Sequence, residues 1–82
     1  MSTTTTRTVL EQVYNERVRQ DEKWQGTFND DDWTALDWHE MIADYNAWAR
    51  RMATQQSPDK ARRRYIQIAA LAVAAVEALD RK

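Results

Sequence analysis

IQIAALAVAAVEAL, residues Ile66 to Leu79, is apolar on nearly every side, with Gln67 and Glu77 as its only polar members. A helix that is apolar all round belongs in a core. Eighty-two residues make one domain with a limited core. Two further helices can hardly surround such a segment completely. The stretch therefore predicts an all-α, three-helix protomer that assembles into an oligomeric helical bundle, its alanines allowing close helix approach.

Working outward, Ser57-Pro58 opens this helix, serine as cap and proline in the first turn, where its missing N–H costs nothing. The helix is expected over about 58–80. Its first half, Lys60 to Arg64, is basic and works against the helix dipole. A second helix, about 34–54, starts with Thr34 as N-cap and Asp37 at the third helical position, an aspartate version of the capping box, with Asp32 as a rival cap. Trp38, Met41, Ile42, Tyr45, Trp48, Ala49 and Met52 form its broad apolar face, and Leu36, Ala43 and Ala47 a narrow second stripe. Two apolar faces call for more than one neighbour. In the first helix, about 8–24, Val9, Leu10, Val13, Tyr14, Arg17, Val18, Asp21 and Trp24 recur at intervals of three and four. Gly26 breaks that run, and Thr27 to Asp32 form a polar loop. Residues 1–7 read as a flexible tail and 8–82 as a single helical domain.

Composition narrows the function classes. Twelve Lys+Arg against 13 Asp+Glu do not recommend a general nucleic-acid footprint, so nucleic acid is not an expected partner. The absence of cysteine suits a reducing compartment, and one glycine with one proline favours helices over a sheet-rich fold. The run Ile66 to Val76 is too short to span a bilayer, and the opening STTTT lacks the basic and apolar segments of a secretory signal. A cytoplasmic location without membrane contact is expected.

Glu40 and Asp44 stand one helical turn apart and could share a divalent ion; as oxygen ligands they would suit magnesium. Asp37 and Asp44 flank the broad face, whereas Glu40 points nearer the small stripe. Asp21, four residues after Arg17, is either a surface salt bridge or a carboxylate aimed at the bundle interior. His39 is the only histidine, without the two-histidine spacing of a zinc helix, and reads as solvent-facing. No phosphate-cradling glycine loop is present, so an anion would fall to Lys60, Arg62, Arg63, Arg64 or an open helix end. Among the tryptophans, Trp38 and Trp48 read as core, and Trp33, at the loop–helix boundary, as an exposed contact for a partner.

The segments ERVRQDEKW, Glu16 to Trp24, and RYIQIAALAVAAVEAL, Arg64 to Leu79, resemble small phage and prophage proteins related to the MazG-like, all-helical nucleoside triphosphate pyrophosphatases. The likeness covers roughly residues 14 to 80. It implies hydrolysis of nucleoside triphosphates to monophosphate and pyrophosphate, with magnesium held by acidic residues on two helices of a multimeric bundle. In HEMIADY, Glu40 and Asp44 match the outer acids of the first motif, but Met41 replaces an expected glutamate. At the second motif the acids are replaced by Arg64 and Gln67. Glu77 and Asp80 make an ExxD displaced to the far end of the helix, where they would serve Glu40 and Asp44 only from a neighbouring subunit.

A magnesium–pyrophosphate site needs several carboxylates to offset the concentrated charge. With Met41 and Arg64 in their place, the expected function is a catalytically silent, phage-type accessory protein. It would bind a nucleotide or a host protein as a homo-oligomer, with no cofactor. The alternative is a magnesium-dependent pyrophosphohydrolase, with Glu40, Asp44, Asp21, Glu77 and Asp80 as metal candidates. A DNA-associated regulator is the third reading.

Overall fold

The computed structural model describes residues 3–24 and 32–81. They form α1 (Thr3–Trp24), α2 (Ala35–Thr54) and α3 (Pro58–Asp80), an all-α fold of three helices. α2 and α3 begin and end where the caps and the periodicity put them. α1 instead begins at Thr3, so residues 3–7, expected as tail, continue the helix. Apolar periodicity marks only the part of a helix that packs, and the exposed residues 5–8 carry no such signal. The polar loop expected from Thr27 lies outside the described residues, apart from Asp32.

Thr34 caps α2 as a reciprocal box. Its Oγ1 accepts from the Asp37 backbone N–H at 3.3 Å, while the Asp37 carboxylate accepts from the Thr34 backbone N–H at 2.8 Å. At the other end, the Gln56 N–H donates to the Ala53 carbonyl and the Ser57 N–H to the Met52 carbonyl, at 3.2 and 2.9 Å. These two bonds form a Schellman closure, and they place Gln56 in the left-handed region at φ 57°. Pro58 takes the first turn of α3 as expected, but Ser57 does not cap it with its side chain. At φ −114° and ψ 72°, its backbone departs from the extended geometry that aims an N-cap hydroxyl at the first turn.

α3 lies between the other two helices. It packs most extensively against α2, less against α1, and α1 and α2 meet only marginally. Trp38 of α2 is buried with Leu71, Ala74, Ala75 and Ala78 of α3, and Trp24, Trp33, Met41, Ile42 and Tyr45 pack around them. Ala49 and Ala61 are buried nearer the turn, and Val13 carries the apolar burial of α1. The radius of gyration, 13.7 Å, exceeds the about 12 Å of a compact chain this long, as expected for a central helix flanked on two sides rather than a closed triangle. The second stripe of α2 finds no neighbour among the described residues, since Leu36, Ala43 and Ala47 are exposed. No described helix is long and apolar enough to cross a membrane.

Candidate functional site

The five acidic candidates are not gathered into one cluster. Glu40 and Asp44 stand exposed on α2, and Asp80 is exposed at the end of α3. Asp21 and Glu77 do come together, but around a guanidinium: Arg17 bonds Asp21 one turn away and, through Nε, Glu77 Oε1 at 2.8 Å. The Arg17 side chain is only 14% exposed, its partners far more so. Burial by itself would lower the pKa of Arg17, yet the hydrogen bonds to Asp21 and Glu77 outweigh it and the net direction is upward. Asp21 is therefore the salt bridge that its spacing suggested, extended to α3 by a partner that the spacing did not reveal. Among the described residues, no three His, Asp or Glu side chains are placed to hold a metal ion.

The basic candidates divide between two roles. Arg64 lies over the rings of Trp48 and Tyr45, 5.1 and 6.0 Å from their centroids, and donates to Gln67 Oε1 at 3.0 Å. It is half-buried and joins α3 to the aromatic edge of α2. Arg62 and Arg63 are exposed and line a concavity of about 300 Å³ together with Gln12, Glu16, Asp59 and Ile66. Arg62 also donates to Gln12 Oε1 at 2.7 Å, and Glu16 accepts from Arg19. Lys60 is exposed beside this group. The concavity carries both signs of charge, with the two guanidinium groups as its cationic wall.

The aromatic expectations exchange places. Trp33 is half-buried, tilted 58° against Trp38 at 4.8 Å between centroids, and packs on the core rather than projecting as a free contact. Trp48 is the more open ring, meeting Tyr45 edge-on at 5.0 Å beneath Arg64. Trp33 directly precedes the capping box, and that turn brings it back over the first turn of α2. His39 is exposed.

Of two further features, sequence reasoning missed the first and expected the second in the incompletely surrounded Ile66 to Leu79 segment. Gln20 is 1% exposed: its amide donates to the backbone carbonyl of Gln67 at 3.3 Å, while its Oε1 is buried with no hydrogen-bond partner among the described residues. No periodicity distinguishes a buried glutamine from an exposed one. The second feature is apolar. Tyr65, Val73, Val76 and Leu79 of α3 are exposed, and a concavity of about 400 Å³ lined by Ala53, Gln56, Pro58, Ala61, Arg62 and Tyr65 lies beside the turn.

No family model matches the chain, and neither curated proteins nor solved structures yield a significant match.

Proposed function

We propose that the chain is a catalytically silent accessory protein that works as a homo-oligomeric helical bundle and binds an anionic partner, a nucleotide or an acidic protein surface, at Arg62 and Arg63. The observation that carries the reading is the arrangement around Arg17, which engages two of the five candidate metal ligands in ion pairs. Glu40 and Asp44 are left as a single exposed pair on α2. Two carboxylates do little to offset a magnesium ion and a triphosphate. The position where the resemblance calls for an acid holds Arg64, committed to Trp48, Tyr45 and Gln67. Exposed Arg62 and Arg63, with Lys60 nearby, supply donors that suit phosphate or carboxylate oxygens.

The test combines turnover with binding. Nucleoside triphosphates incubated with magnesium or manganese are expected to release no pyrophosphate above background. Release that is lost in Asp44→Ala would establish the hydrolase alternative, for which the accessible Glu40 and Asp44, one turn apart, are the favouring feature. Calorimetric titration with nucleotides should show binding that weakens in Arg63→Ala. A nucleotide titration without heat redirects the reading to an acidic protein partner.

A further inference from the structure

We infer that the open face of α3 is a helix-pairing seam whose occupant is α3 of a second copy, running antiparallel about a two-fold axis near Ala72. The inference rests on the oligomeric reading above and names its interface. Three observations converge on it.

The first is spacing. Tyr65, Ala69, Ala72, Val76 and Leu79 follow one another at intervals of four, three, four and three. That alternation keeps one stripe facing a partner helix, as the a and d positions of a coiled coil do. Apart from Ala61, four residues before Tyr65 and covered near the turn, it does not coincide with the packed face of α3, whose buried residues are Ala70, Leu71, Ala74, Ala75 and Ala78. Tyr65 is 53% exposed and Val76 59%, and Ala72 and Leu79 are exposed too. α3 therefore carries two apolar faces, and the chain's own helices cover one.

The second is charge. Near the start of α3 stand exposed Lys60, Arg62 and Arg63 with Asp59, and near its end exposed Asp80 with Arg81, Glu77 being held by Arg17. A parallel pair would set like charges side by side. An antiparallel pair sets Arg62 against the partner's Asp80, leaves Arg63 to the anionic partner, and also opposes the helix dipoles. Arg62 lies ten residues before Ala72 and Asp80 eight residues after it, so the two-fold brings them to nearly the same height. The seam is then self-complementary, as an isologous interface must be.

The third is shape. Pro58, Arg62 and Tyr65 extend the same four-and-three spacing into the apolar concavity beside the turn. In the antiparallel register the partner's Leu79 comes opposite Tyr65 and can enter it.

Since the chain has no cysteine, single-cysteine variants report on the geometry without interference. Sedimentation is expected to find a dimer. Ala72→Cys should oxidise to a covalent dimer, and Ala47→Cys, on the outer stripe of α2, should not. Val76→Arg should raise the dimer dissociation constant about a hundredfold or more while keeping the helical circular dichroism signal. Arg62→Glu and Asp80→Arg should each weaken the dimer about two- to fivefold and together restore it. A monomeric wild type overturns both the seam and the oligomeric reading of the function. An oligomer that survives Val76→Arg and crosslinks through Ala47→Cys overturns the seam alone. Failure of the paired charge reversals to restore association overturns the antiparallel orientation.

Discussion

α3 meets its two neighbours by different chemistry. Toward α2 it offers Leu71, Ala74, Ala75 and Ala78, which close around Trp38 by apolar contact, the indole N–H of Trp38 being a polar atom buried with them. Toward α1 the specific contacts are polar: Gln20 to the Gln67 carbonyl, Arg17 to Glu77, and Gln12 to Arg62. The apolar interface supplies most of the cohesion, since burial of apolar area is the dominant favourable contribution to folding. The polar one adds little net energy, because each of its groups leaves water to make its bond, but it defines where α1 lies. Of the two polar interruptions in an otherwise apolar segment, Glu77 meets α1 through its side chain, whereas Gln67 offers Gln20 its backbone carbonyl and turns its own amide oxygen to Arg64.

The difference is open to direct attack. Leu71→Ala should lower the unfolding free energy most, by about 2–5 kcal/mol, measured by urea denaturation, because Leu71 is fully buried and its truncation leaves a cavity that the packed helices close only in part. A loss below about 1 kcal/mol would mean that the α2–α3 contact is not the centre of stability. Hydrogen exchange should next separate the helices, with amides of α1 exchanging well before those of α2 and α3. Uniform protection across all three helices would erase the distinction between the interfaces.

Gln20→Met sharpens the comparison from the polar side. It keeps the volume and removes a buried oxygen that finds no donor among the described residues, so stability should rise by about 1 kcal/mol, and a clear loss would show that the glutamine holds α1 in place. Arg17→Ala should have the smallest effect, under about 1 kcal/mol and shrinking with added salt, since Asp21 and Glu77 are largely exposed. The pKa of Arg17 is raised in the fold, so its contribution is complete below its unfolded value. It is lost only as the pH climbs through the higher folded one, and the neutral range leaves it intact.

Much of this architecture was legible in the residues. The Thr34–Asp37 box is a local device, since both partners sit within one turn and need nothing from the rest of the chain. Pro58 is equally local, while the Ser57 hydroxyl shows how a cap preference can yield to a turn that closes the preceding helix. The candidate site was less legible. Trp48 is more open than expected because a helical wheel gives the direction of a side chain and not what stands there, and Trp33 is less so because the turn before α2 lays it on Trp38. Arg64 ends over two rings of α2, an outcome set by the hairpin and not by its basic neighbours.

Capping and apolar periodicity act within a few residues, so the order of residues alone sets the three helices, two of their three starting points, and the need of Ile66 to Leu79 for neighbours. Packing between helices sets which side of α3 each neighbour takes, draws Asp21 and Glu77 together at Arg17, and leaves Glu40 and Asp44 apart from them. Those outcomes depend on contacts between residues up to sixty positions apart, which packing brings together and spacing along one helix cannot encode.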